Sequence, residues 1–237
     1  MNKEMTVDYN NSISFWESVY ANSHNCNELA DGCDTNSWRS LAPSEKFISA
    51  LSIFSNCEKV LDYGCGDGWG SIIMAKTGCK NIISVDLSKS AIKNLKENSH
   101  KYGVNKSIQA EVISSDWINS EKTDKYDGFS CSNVIDVVPE EIAENILKQA
   151  HRIVKKDSKL IISLNYYLNT KPTQNNNFEL KGNYMYRDGI LRMVSRSDQE
   201  WSEIFSKFFI VEKIDHFSWP GETRELRRLF YLGNNKI

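Results

Sequence analysis

Between Val60 and Gly70 the chain reads VLDYGCGDGWG, which sets one carboxylate, Asp62, ahead of glycines at 64, 66, 68 and 70. Glycine admits positive φ and lets a ligand rest on bare backbone. The next residues, Ser71-Ile72-Ile73-Met74-Ala75, read as the first turns of a helix whose unpaired amides and dipole face the loop. Such a corner is suited to a polar ligand. A dinucleotide loop would read G-x-G-x-x-G, but counted from Gly64 its third glycine falls on Trp69, and the glycines here run G-x-G-x-G. An indole at that place would hinder both helix-on-strand packing and the approach of a pyrophosphate. Asp62 would repel an anion across the loop and attract a cationic amine or sulfonium, and the small side chain of Cys65 leaves room for it. Asp86 lies 22 residues past Gly64 at the end of the next β-branched run, where an acidic side chain can accept both hydroxyls of a ribose.

Groups able to move a proton are sparse. His216 has the right ordinary pKa for a general base and Asp136 is a weaker candidate, so no catalytic residue is assigned. The six cysteines contain no C-x-x-C pair, and the four histidines show no ligand spacing with them, so reduced thiols and no metal are expected.

The elements that must position these groups alternate. Lys59–Leu61, Asn81–Val85, Ile108–Ser114, Tyr126–Cys131 and Leu160–Leu164 read as strands. Helices fall between them, one from Ser88 to Tyr102 with Ser88 as N-cap and one opened by Pro139-Glu140-Glu141 with a buried stripe of Ile142, Ile146, Leu147, Ala150 and Ile153. This is the pattern of a parallel sheet with crossover helices, a doubly wound α/β fold. After Leu164 the alternation stops. A polar loop at Thr170–Asn177 leads to two apolar stretches around Arg187-Asp188-Gly189, predicted as an inserted β-hairpin at about 178–193. A helix near Gln199–Phe205 and strands Phe209–Ile214 and Leu226–Leu232 follow, and the last two, lacking a full crossover, imply an antiparallel edge. Residues 1–56 precede the first core strand and read as an N-terminal helical cap, with Ile13, Phe15, Trp16 and Tyr20 near helical spacing and a second helix at Ser44–Phe54. Residues 57–237 form the ligand-binding domain.

The segment DYGCGDG resembles the first motif of the class I S-adenosylmethionine-dependent methyltransferases, an acidic residue followed by G-x-G-x-G, and fits it at every defined position. The resemblance covers roughly Val60 to Leu232 and implies a seven-stranded, mostly parallel sheet in the order 3-2-1-4-5-7-6 with the last strand antiparallel. It implies S-adenosylmethionine as cofactor, held by Asp62, Gly64, Cys65, Gly66, Gly68, Asp86 and Leu87. By the same resemblance Asp116 accepts from the adenine amino group, the backbone of Trp117 lies near the ring, and the end of strand four, with Asn133 and Asp136, faces the transferred methyl. The N-terminal helices would form a lid, and Arg39 would reach the ligand's carboxylate. Methyl transfer from a sulfonium is a direct displacement, so alignment supplies most of the acceleration and no covalent enzyme intermediate is expected.

The acceptor is expected to be a small molecule. Trp16, Tyr20, Tyr166, Tyr167, Tyr184, Tyr186 and Trp219 are the large amphipathic side chains of the segments that can cover the carboxyl edge of the sheet, and they could wall an apolar or aromatic acceptor. Ser132-Asn133-Val134-Ile135 stands where N-methylating nucleic-acid enzymes usually carry (N/D)-P-P-(Y/F), and no Pro-Cys pair supplies a cytosine-C5 nucleophile. That disfavours a nucleic-acid acceptor, leaving an RNA or protein methyltransferase, or a non-catalytic binding protein of the same fold, as alternatives. A Rossmann oxidoreductase is opposed by the loop spacing. The composition, 237 residues with 40% hydrophobic and 25% charged and a net charge of -2, is that of a globular protein without a basic surplus for a polyanion. With neither an apolar span nor a secretion signal in the sequence, a cytoplasmic protein is expected. Oligomeric state has no sequence signal.

Overall fold

The computed structural model describes residues 3–23, 37–42, 44–167 and 178–234. The expected polar loop at 170–177, and Cys26 and Cys33, lie outside them. The remaining cysteines, Cys57, Cys65, Cys79 and Cys131, are free.

Helix α1 (Lys3–Asn22) and α2 (Glu45–Ser52) precede β1 (Val60–Tyr63), α3 (Trp69–Lys76), β2 (Ile82–Asp86), α4 (Lys89–Lys101), β3 (Ile108–Val112), α5 (Trp117–Ser120), β4 (Tyr126–Ser132), α6 (Glu140–Ile153) and β5 (Val154–Leu164). Strands β6 (Phe178–Lys181), β7 (Tyr184–Arg187) and β8 (Ile190–Val194) come next, then α7 (Asp198–Ser206), β9 (Phe209–Phe217) and β10 (Arg227–Asn234). The main sheet runs β3-β2-β1-β4-β5-β10-β9. Strands β1 to β5 pair in parallel, while β10 is antiparallel to both β5 and β9. Counted along the sheet this is the expected 3-2-1-4-5-7-6.

The sheet is apolar on both faces, as a buried parallel sheet must be. Val60 and Ile161 face one core with Phe47, Phe54 and Ile72, whereas their neighbours Leu61 and Ile162 face the other with Phe129, Leu147 and Trp201. The strand period of two thus assigns successive residues to opposite layers. Phe47 and Phe54, from the segment ahead of β1, are fully buried, and Phe54 packs on the bare backbone of Gly128, where a Cβ would lie 2.6 Å from its ring.

Two boundaries differ from the sequence reading. Strand β5 starts at Val154, directly at the end of α6, instead of at Leu160. Its first half, Lys155 to Lys159, is polar and carries Asp157 at φ 60 with a register shift opposite Tyr126/Gly128, which hides the strand's period. The inserted hairpin turns at Asp188-Gly189 as expected, both at positive φ, but a third strand, β6, joins it through a turn with Gly182 at φ 59. The insertion is therefore a three-stranded meander.

Candidate active site

The order of the main sheet reverses between β1 and β4, and at such a switch point the strand ends leave a crevice. The corner after β1 fills its floor. Gly64 and Cys65 both donate their amides to Val85 O, at 2.8 and 3.0 Å, folding the loop over the end of β2. Gly64 has φ 68, and a Cβ there would sit 2.3 Å from Val134 Cγ2, so the loop after β4 presses directly on its backbone. Gly68, at φ 89, starts α3, and its missing Cβ would lie 1.9 Å from Leu95 Cδ1.

Two carboxylates face this crevice. Asp62 is buried and accepts from Ser71 Oγ. Burial lifts its pKa to about 6, with the Ser71 hydrogen bond pulling the other way. Asp86 accepts from Gly66 N through Oδ2 and from Ser88 N through Oδ1, each at 2.9 Å. Burial raises its pKa while those amides oppose the rise. Asn133, at φ 54, donates its backbone N–H to Ser163 O at 2.9 Å. Its side-chain Oδ1 is buried without a hydrogen-bond partner, a state that calls for a ligand donor or an ordered water.

Helix α1 forms the cover. Tyr9, Ser12, Ile13, Trp16 and Tyr20 turn inward at helical spacing. On one flank Glu17 accepts from Ser88 Oγ and from Ser90 Oγ, at 2.5 and 2.7 Å, and Asn94 Nδ2 donates to Tyr20 O at 2.9 Å. On the other flank the meander holds the helix. Ser12 Oγ donates to Leu191 O at 3.1 Å, Tyr186 OH donates to Asp8 Oδ2 at 2.8 Å, and the Arg192 guanidinium lies 3.9 Å over the Phe15 ring. The Tyr20 hydroxyl reaches over Gly66, where a Cβ would be only 2.5 Å away. Burial, and then the charge of Asp86, push its pKa up.

The cavity has a volume of about 330 Å³, within the range of small-ligand sites. Of the residues expected from the sequence it brings together Asp62, Gly64, Cys65, Gly66, Asp86, Leu87, Asn133, Trp16, Tyr20 and Trp219. Gly68 sits one step back, as the N-cap of α3.

Others are placed elsewhere. Asp116 and Trp117 do not line the cavity; Asp116 is exposed, accepts from Ser114 Oγ at 2.5 Å, and has its pKa lowered chiefly by that bond. Ile113 takes the cavity-facing place at the end of β3. His216 lies on the edge strand β9, its Nε2 2.8 Å from Asp198 Oδ2. Asp136 is fully buried behind the site, accepting from Asn165 N through Oδ2 and from Val194 N through its carbonyl, both at 2.6 Å. Neither lines the cavity: Asp136 ties the segment after β4 to β8 and to the end of β5, and His216 ties β9 to the start of α7. Tyr166 stacks on Arg227, Tyr167 is exposed, Tyr184 accepts from Glu140 N, and Tyr186 holds Asp8. No residue of the meander lines the cavity; it touches the cover of the site, α1. Arg39 pairs with Glu45, covers Trp38 and does not line the cavity.

The sequence reading missed Tyr9, Trp69, Val137, Val138 and Ile146 as lining residues. Tyr9 was legible as one more step of the α1 stripe. Trp69 was visible only as an obstacle to a pyrophosphate, whereas its ring walls the cavity and packs edge-on to Phe47 at 4.8 Å and Trp219 at 5.9 Å. Val137-Val138 carried no local signal.

The donor set suits an adenosyl sulfonium. Bare glycine backbone, a carboxylate at the end of β2, the unpartnered Asn133 Oδ1 and a second carboxylate below offer acceptors and negative charge, and among the described residues no lysine, arginine or histidine lines the cavity. Residues 54–210 match the family described as "Methyltransferase domain". The chain belongs to this family. With DYGCGDG at its corner and its sheet order, it is a class I methyltransferase domain. The chain is 30% identical over 107 residues to ubiquinone biosynthesis O-methyltransferase of Xanthomonas oryzae pv. oryzae, a match covering 44% of this chain and 42% of that relative, so it spans less than half the length of that relative. To the Glaesserella parasuis protein of the same name it is 27% identical over 168 residues, covering 64% of this chain and 69% of the relative. Among solved structures it is similar to the 1,6-didemethyltoxoflavin-N1-methyltransferase of Burkholderia thailandensis, with a TM-score of 0.67 at 14% identity over 96% of this chain and 91% of the other. Among the described residues no helix is long and apolar enough to cross a membrane.

Proposed function

We propose that this protein methylates a small, neutral, planar acceptor with S-adenosylmethionine as methyl donor. The observation that carries the reading is a cavity with an acidic, glycine-lined floor, an aromatic and aliphatic cover, and no cationic side chain lining it among the described residues. A polyanionic acceptor needs the opposite, a basic surface. The relatives named for ubiquinone biosynthesis and the toxoflavin enzyme support an acceptor of the ring type.

Bound here, S-adenosylmethionine supplies an electrophilic methyl and a neutral thioether leaving group. In this assignment Asp86 would accept the ribose hydroxyls, the bare backbone of Gly64 and Gly66 would admit the ligand, and Leu87 and Ile113 would give the base apolar contact. Asp62 would supply negative charge for the sulfonium, and Asn133 Oδ1 would accept a hydrogen bond from the ligand. Trp16, Tyr20, Trp69 and Trp219 exclude water and orient the acceptor, so that alignment does most of the work. With no histidine or lysine lining the cavity among the described residues, the acceptor's proton leaves to water or through a tyrosine hydroxyl.

The test is a panel of phenols, N-heteroaromatics, nucleic acid and protein extracts, with S-adenosylhomocysteine release as readout. Turnover confined to neutral ring compounds is expected. Turnover only with RNA or protein would overturn the reading.

A further inference from the structure

We infer that Trp219 is the specificity-determining residue of the acceptor end of the cavity and that Glu222 and Arg227 are the positioning residues that hold it there, an inference resting on the function proposed above. The loop between β9 and β10 is tied to α2 by the Lys46–Glu225 ion pair. Residues 220–226 are all exposed, and Trp219 is the loop residue that lines the cavity.

Its backbone is fixed by a tight turn. Glu222 N donates to Trp219 O at 3.0 Å, Pro220 and Gly221 occupy the central positions, and Gly221 has φ 88, the signature of a type II turn. The turn brings the Glu222 carboxylate back, and Trp219 N donates to its Oε2 at 2.8 Å. Glu222 also binds Arg227, accepting from Nε at 3.0 Å and from Nη2 at 2.7 Å. The Arg227 guanidinium then lies 5.9 Å from the Trp219 ring and 5.7 Å from that of Tyr166, and its Nη1 donates to Asn165 Oδ1 at 2.7 Å. The indole is thus backed by a cation that is itself held on three sides, and its edge meets Trp69. A side chain ordered this fully before any ligand arrives loses little freedom on binding one.

The sheet order says which end of the cavity this is. Asp86 ends β2 and Ile113 follows β3, on one side of the switch point; Trp219 comes from the β9–β10 edge on the other, with Asn133 of the β4 end between them. A ligand whose ribose meets Asp86 therefore leaves the Trp219 end to the second substrate, and a rigid indole there selects a flat ring that can stack or meet it edge-on.

The experiment titrates 2-naphthol, and decahydro-2-naphthol as a non-planar control of like size, into the full chain saturated with S-adenosylhomocysteine, by calorimetry. We expect 2-naphthol to bind at least fivefold tighter than the control. Trp219→Ala should lose about tenfold, Trp219→Phe should recover to within threefold, and Glu222→Gln should lose about threefold, all with S-adenosylhomocysteine affinity and melting temperature unchanged. Equal binding of the two probes, no binding of 2-naphthol, or an unaltered affinity in Trp219→Ala overturns the inference. Failure of S-adenosylhomocysteine to bind at all overturns the proposed function instead.

Discussion

At the β2 end of the cavity the ligand-facing groups are backbone amides, glycines and one carboxylate, all within a few residues of a strand terminus; at the β9–β10 end they are an indole and the residues that clasp it, contributed across 62 residues of sequence from Asn165 to Arg227. The first end is made by local chain geometry, in which Gly64 and Gly68 hold positive φ with neighbours pressed where a Cβ would stand. The second is made by side-chain contacts between elements far apart in sequence. The difference teaches that a fixed ligand part is met by a backbone shape that leaves no room for a side chain at Gly64 or Gly68, while a variable part is met by side chains on a surface loop, where the chain can vary without disturbing the fold.

Breaking the backbone end should cost most. Gly68→Ala adds a Cβ into Leu95 at positive φ, and is expected to lower unfolding stability by about 2–4 kcal/mol in urea titration; a loss below about 1 kcal/mol would show that the corner is not rigid. Next comes proton linkage at Asp62. Its folded pKa of about 6 lies above the ordinary 3.8, so the folded chain holds a proton there that the unfolded chain lacks, and this group favours the fold as pH falls between those values. A bound cation needs the carboxylate instead. S-adenosylmethionine affinity should therefore fall below pH 6, by at most about tenfold per unit, and Asp62→Asn should flatten the profile; a wild-type profile already flat from pH 5 to 8 sinks the assignment.

The cover sharpens the comparison on a smaller scale. The Glu17 carboxyl is held below its usual range, chiefly by the Ser88 hydrogen bond, so the clasp of α1 on α4 is present at neutral pH and lost as pH falls below 4.5. Glu17→Gln should speed S-adenosylhomocysteine release about 3–10-fold in stopped flow, the worth of one such bond, and an unchanged rate would mean that α1 does not gate the site. Smallest of all, Tyr186→Phe removes the bond to Asp8 and should leave cofactor affinity within about twofold, since Tyr186 does not line the cavity and a lost hydrogen bond outside it costs stability of about 1 kcal/mol. A larger loss of affinity would place the meander in the site itself.

How much of this was legible follows the same division. DYGCGDG and Asp86 were readable because the spacing of glycines and of a strand-end carboxylate is dictated by local geometry, and the sheet order followed from the alternation of apolar runs. Trp16, Tyr20 and Trp219 could be nominated by type, yet nothing in the sequence separated them from Tyr166 and Tyr186, which the structure turns to other partners. Asp116, nominated by its place in the chain, is exposed and outside the cavity lining, and Ile113 holds the cavity-facing place. The meander's service to α1 depends on contacts such as Ser12 to Leu191, separated by 179 positions, and distances of that length leave no local pattern.

The central claim is tested most directly by calorimetric titration of S-adenosylhomocysteine into the wild-type chain and into Asp86→Ala. The account predicts one site per chain in the wild type and a weakening in the variant of about 1.5–3 kcal/mol, roughly 10- to 150-fold, the worth of hydrogen bonds to a charged group. No binding to the wild type, or equal binding to both, would contradict it.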